Sequence, residues 1–437
     1  MPSNAAMTTV RRLSCAALLL AIAPMSTWRA AAAPDATAAP PPIAAAAPPA
    51  TANSPVERGR YLARAANCVS CHTVPGGQVF AGGRAFRTPY GFFGALYSSN
   101  ITPDRDTGIG AWTEADFLRA MRTGIARNGE HLFPAFPYTA FTRLASTDIS
   151  DIYAYLRTVP AVRSTPPANS FWFRQRWAMA LWNWLYFAPG ERSADAQQPA
   201  EWHRGRYLAE ALGHCGACHS PRNWALAEDA GAAYTGGEHL DEVESGKQRL
   251  WSAPNLTGAR SGLARWSVDE LGEYFKTGHN RWAGTLGPMN EVIANSLQHL
   301  DETDRRALAV YIKSLAARGD GPALQLSAAE GAAGKAVYDQ YCNRCHLASG
   351  RGGFRKAPPV AGSLIVQAPS PASLLNVILY GAQPAADLPP SLHTWEEMPG
   401  YKDKLGDAQV SQLANFLRAS WDNRGGRVAP GDVAAQR

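Results

Sequence analysis

The pattern Cys-x-x-Cys-His occurs three times, as Cys68/Cys71/His72, Cys215/Cys218/His219 and Cys342/Cys345/His346. Nothing else in the chain limits its fold and chemistry as tightly. On a helix, cysteines three residues apart and a histidine one step further share a face, so two thiols and an imidazole converge on one object. The only other cysteine, Cys15, lies near the start of an apolar run in the N-terminal segment, the wrong end of that run for an acylated cysteine.

That N-terminal segment reads as a signal peptide over residues 1–33, with Arg11 and Arg12 ahead of an apolar stretch and Ala31 to Ala33 as a cleavage site. Export is the expectation. Its removal lowers the formal charge from +6 to +3, because Arg11, Arg12 and Arg29 leave with no acid. With no Lys/Arg cluster alternating with aromatics, the basic balance gives no case for nucleic-acid binding. Residues 34–53 form an Ala/Pro-rich tether, too poor in large side chains to hold a fold.

From there the chain repeats. ERGRYLARAANCVSCH at 57–72, HRGRYLAEALGHCGACH at 203–219 and a looser GAAGKAVYDQYCNRCH at 331–346 open three units, expected at 54–165, 200–318 and 326–422. Each continues through a Gly/Pro-rich loop into a middle helix, with Thr113, Ser267 and Ser370 as expected N-caps, and ends in a closing amphipathic helix. No strand pattern competes with the helical one. The predicted fold is therefore all-α, with residues 423–437 as a flexible tail.

A connector at 166–199 contains four Trp between residues 171 and 190, but Arg174 and Arg176 interrupt it. The uncharged stretch falls short of the ~20 residues that span a bilayer. Two readings stand for it: a helix wedged between domains or on a partner, and one lying in the membrane interface.

Two thioethers to porphyrin vinyl groups, with the imidazole on iron, account for every residue of the three motifs. Pairing two of them into a zinc site orphans the third and leaves the trailing histidines unexplained. A redox dithiol calls for an α/β setting, and structural disulfides call for no histidine. Three covalent c-type haems are thus expected. For the opposite face of iron, Met289 and Met398 follow their motifs in Gly/Pro-broken loops, and a thioether is a soft axial ligand. In the first unit Phe136 stands where a methionine is expected; Met121 reads as core, and His131 as solvent-facing, propionate-binding or a ligand. An open or weakly occupied sixth position follows for the first haem. Carbonyls of Pro254 and Pro358 are expected to hold the second and third histidines, while SSNITPD at 98–104 is a weaker supplier for the first.

The segments TPYGFFGALYSSNITPDRDTGIGAW, HLFPAFPYTAF, GPMNEV and MPGYKDKL resemble the tri-haem cytochrome c subunit of bacterial membrane-bound dehydrogenases, over residues 55–422. The resemblance implies electron transfer from a separate flavin, quinone or molybdenum dehydrogenase subunit to ubiquinone or a terminal oxidase. The implied location is periplasmic, at the outer face of the inner membrane. Phe136 departs from the alcohol dehydrogenase branch and looks more like the cytochromes that partner molybdenum hydroxylases of aldehydes or N-heterocycles. The chain itself then needs no catalytic acid, base or nucleophile. Two alternatives stand beside this reading: a peroxidase-like or small-ligand haem protein acting at the first iron, and a free periplasmic electron shuttle.

Overall fold

The computed structural model describes residues 54–87, 94–170, 176–244, 247–383 and 388–437, the side chains of 244 and 247 excepted. The expected signal peptide and tether fall outside the described residues, as do residues 171–175 of the Trp-rich connector. The rest repeats one plan. The opening helices are Pro55–Ala65, Ala200–Tyr207 and Ala328–Tyr341. The middle helices are Glu114–Thr123, Val268–Thr277 and Ala372–Tyr380, and the closing helices Ser146–Leu156, Glu302–Ser314 and Asp407–Ala419.

Each opening helix crosses its own closing helix at a glycine. A Cβ on Gly59 would stand 1.8 Å from the Asp151 carbonyl oxygen, one on Gly205 1.9 Å from that of Ala307, and one on Gly334 2.4 Å from that of Gln412. The repeated glycine is thus a packing requirement. The second unit has one more residue between its Tyr207 and Cys215 than separates Tyr61 from Cys68. A π-turn at Leu208–Leu212 absorbs it, closed by the Gly213 N–H on the Leu208 carbonyl at 2.7 Å.

Capping boxes start two middle helices, at Thr113/Asp116 and Ser267/Glu270. The third begins differently: Pro371 holds the cap position, and Ser370 Oγ accepts from Ala372 N–H at 3.4 Å.

Strands correct the all-α expectation. Ala85–Arg87 pairs antiparallel with Ala95–Tyr97, and Gly237–Glu244 with Lys247–Ala253. The longer hairpin was hidden because its residues alternate between polar neighbours on two units rather than between a core and solvent. Asp241 accepts from Arg84 of the first unit at 3.0 Å. Ser252 and Ser373 of the third unit exchange backbone-to-hydroxyl bonds, and Asn376 donates to the Leu250 carbonyl at 2.8 Å.

The first two units share one apolar core, built on Leu62, Leu144, Ile152, Leu212, Leu308 and Ile312 among others, whereas the third has its own around Tyr338, Leu375 and Leu413. Two buried bonds cross the shared core reciprocally: Tyr61 donates to Asp304 and Tyr207 to Asp148, each at 2.5 Å. The expected flexible tail is also corrected. Val428 and Val433 lie in the third core, Ser411 and Asn415 both donate to the Val428 carbonyl at 2.9 Å, and Pro430–Ala434 is helical. Apolar side chains at 428 and 433 outweigh the polar composition that suggested a tail.

Candidate haem-attachment sites

All three Cys-x-x-Cys-His motifs lie at one-turn helices that follow their opening helices. The six cysteines form no disulfide with one another and are half-buried. Burial pushes Cys68, Cys215 and Cys342 each up to about 12, and Cys71 up to about 11, the opposite of an activated thiolate. Among the described residues no group of three or more His, Cys, Asp or Glu gathers as a metal-ion site, so the zinc alternative has no donor set.

The histidines are prepared in one way. His72 Nδ1 lies 2.7 Å from the Ser99 carbonyl, His219 Nδ1 2.8 Å from that of Pro254, and His346 Nδ1 2.9 Å from that of Pro358. A carbonyl only accepts, so Nδ1 carries the proton and Nε2 keeps its lone pair for a metal. Burial pushes all three imidazoles below their ordinary value, against the smaller upward pull of the carbonyls, which holds them neutral. Pro254 and Pro358 act as expected from the sequence; in the first unit the supplier is Ser99, within the segment judged weaker.

The third unit shows what such a site encloses. A cavity of about 480 Å³ has Cys342, Cys345 and His346 on its wall together with Met398, and Leu374 and Ile378 among its apolar lining. That volume lies in the ~300–1,000 Å³ range of cofactor pockets. His346 and Met398 would offer an imidazole and a thioether to the iron of a porphyrin, whose flat apolar macrocycle the lining suits. Gly381, at φ 82°, lets the Met398 backbone close on the middle helix: a Cβ there would stand 2.4 Å from the Met398 carbonyl oxygen.

Met289 is not in a loop, as the sequence suggested, but in the first turn of a helix, Pro288–Asn295. Pro288 at its start fixes a helical φ. The preceding Gly287, at φ 52°, lies under the Trp251 ring, which a Cβ would approach to 2.6 Å.

Equivalent hydrogen bonds align Phe136 with Met289. Leu132 N–H donates to the Gly124 carbonyl and Thr285 N–H to that of Gly278, both at 2.7 Å, and Phe136 and Met289 each follow four residues later. Met121 occupies the core position held by Phe275 in the second unit, and both are buried. Of His131, Nδ1 is buried without a hydrogen-bond partner while the residue is half-exposed, and its carbonyl accepts from Arg176 at 2.8 Å.

The sites are neighbours. Asn295, on the helix that carries Met289, donates to Ser70 between the first two cysteines at 2.8 Å, and Ser296 Oγ donates to the Ala65 carbonyl at 3.1 Å. Arg84 joins the same junction, donating to Glu291, to Asp241 and to the Ser70 carbonyl. Sequence reading missed this ion cluster, because nothing local links residues 84, 241 and 291. On the other side, His279, Gly284, Thr285 and Leu286 line the third unit's cavity, and Leu286 precedes Met289 by three residues.

Comparison with known proteins agrees with this geometry. A cytochrome c family model matches residues 56–160, and the model for cbb3-type cytochrome c oxidase subunit III matches residues 329–417. A nicotinate dehydrogenase subunit of Pseudomonas putida is 43% identical over 83% of this chain, which spans 30% of that longer protein. The gluconate 2-dehydrogenase cytochrome c subunit of Pantoea cypripedii is 37% identical, covering 87% of this chain and 89% of the relative. The corresponding subunit of the quinone alcohol dehydrogenase of Gluconobacter oxydans is 36% identical, covering 87% and 80%. With two c-type domains matched and the gluconate, alcohol and fructose dehydrogenase relatives covered over most of their length, the chain belongs to the family of cytochrome c subunits of gluconate, alcohol and fructose dehydrogenases.

Proposed function

We propose that the chain carries three covalent haems and relays electrons from a dehydrogenase catalytic subunit to ubiquinone or a terminal oxidase. The observation that carries this reading is the third unit's cavity, where two thiols, a neutral imidazole and Met398 share one wall system. The repeated Nδ1-to-carbonyl bond extends the reading to the other two motifs.

Bound haem supplies reversible one-electron redox chemistry. The residues supply the rest. Cys68/Cys71, Cys215/Cys218 and Cys342/Cys345 would hold the macrocycles, His72, His219 and His346 would present Nε2, and Met289 and Met398 would close the second and third sites. Phe136 has no lone pair, so the first site stays open on that side.

A molybdenum-type partner acting on an N-heterocycle is favoured over an alcohol-type one by Phe136 and by the 43% identity to the nicotinate dehydrogenase subunit, against 33–37% for the gluconate, alcohol and fructose relatives. Export through residues 1–33 would place the protein in the periplasm. Membrane attachment at the inner membrane's outer face would fall to the connector helix Ala178–Tyr186, where Trp177, Leu181, Trp184 and Leu185 are exposed. No described helix is long and apolar enough to cross a membrane.

The test is reduction of the cytochrome in native membranes by the partner's substrate. The expected result is the appearance of the reduced haem bands when substrate is added and their bleaching when oxidised quinone is supplied, with the mature N-terminus beyond Ala33. Peroxide turnover by the isolated chain, with no dehydrogenase co-purifying, would favour the haem-enzyme alternative.

A further inference from the structure

Around the third attachment helix the surface differs from the other two. Leu347, directly after His346, is 42% exposed and Phe354 is 87% exposed. Arg344, Arg351, Arg355 and Lys356 flank them along the chain, all exposed, and none is in an ion pair among the described residues. The sequence from Gln340 to Ala386 contains no acid at all. The loop folds back on the motif: Gly352 N–H donates to the His346 carbonyl at 3.0 Å, and Lys356 N–H to that of Gly353 at 2.9 Å. Lys356 also lines the cavity with Cys345. The basic cluster therefore borders the third site on the side of its Cys-x-x-Cys-His motif, while Glu396 and Glu397 line the cavity beside Met398.

The other units lack this combination. In the first, Arg84 is tied to Glu291 and Asp241. In the second, the exposed Trp224 is followed closely by Glu228 and Asp229. An apolar centre that excludes water, flanked by unpaired cations, is the arrangement by which charged partners are steered and then held. Arginine dominates the cluster, and its planar fork suits carboxylates.

We propose that Leu347 and Phe354, flanked by Arg344, Arg351, Arg355 and Lys356, form the docking face for an electron-transfer protein whose contact surface is acidic. This rests on the reading that the third unit holds a haem. Electrons then cross at the third unit, because a partner seated on this face is brought against the cavity edge.

The experiment uses full-length holoprotein and, as probe, a chemically reduced acidic flavodoxin followed by stopped flow. Raising ionic strength from about 20 to about 200 mM should slow the bimolecular reduction about tenfold or more. Arg351→Glu with Arg355→Glu should slow it by a similar factor at low salt and flatten the salt dependence. Reduction by a neutral hydroquinone should not change. Phe354→Ala should slow the reaction while keeping the salt slope. Arg127→Glu with Arg163→Glu, the same charge change on the first unit, should have little effect. A rate indifferent to salt or to the 351/355 reversal overturns the proposal. So does binding to phosphatidylglycerol vesicles, or self-association in the ultracentrifuge, that is lost in the same variant. A third unit without haem by mass spectrometry of its fragment removes the underlying reading too, which separates the two failures.

Discussion

An imidazole binds iron only if it is neutral and its free nitrogen points the right way; burial meets the first condition here and three carbonyls the second. On the proposed reading, single residues would close the opposite side of the second and third sites. Met398→Ala should leave the third haem attached but five-coordinate or water-ligated, with its potential lowered by on the order of 100 mV within the ~0.8 V span open to axial ligands. Spectropotentiometry checks this. The first site behaves as the mirror case: ferrous wild-type protein should bind about one carbon monoxide per chain, and Phe136→Met should abolish that binding. Carbon monoxide titration decides it, and a wild type that binds none contradicts the open site. Met179, on the connector helix and buried, is the residue to replace next in that event.

The crossing of opening and closing helices is the element on which each unit is built. Gly205→Ala forces a Cβ onto the Ala307 carbonyl and should cost about 1–3 kcal/mol, read as a lower melting temperature. At the reciprocal Tyr–Asp bonds, burial raises the Asp148 carboxyl above its ordinary value despite the Tyr207 bond that pulls it down. A raised acid stabilises the fold most below its unfolded value near 3.8, and that contribution fades as pH rises through the folded value. Asp148→Asn, which keeps an acceptor for Tyr207, should therefore melt no lower than wild type at pH 7, with any advantage gone near pH 3.5. A clear loss of stability at pH 7 would contradict this sign. The helices, two of three capping residues and the Pro254 and Pro358 carbonyls were legible in the sequence, because spacing and caps are local properties. The hairpin at 237–253 and the packed segment after 422 were not: their residues find partners tens to hundreds of positions away, which no local pattern records.

At the scale of the described residues, the three motif-bearing units are joined rather than separate. The first two units share a core, and the loop that lines the third cavity runs into the helix that carries Met289. Spacing announced three sites, but their adjacency depends on Arg84, Asn295 and the 279–286 segment, whose roles emerge only on folding. The most direct test of the central claim is intact mass together with pyridine haemochrome analysis of the exported, purified protein. The account predicts three covalent haems per chain, falling to two when Cys342 and Cys345 are both replaced by alanine. Two or fewer in the wild type would contradict it.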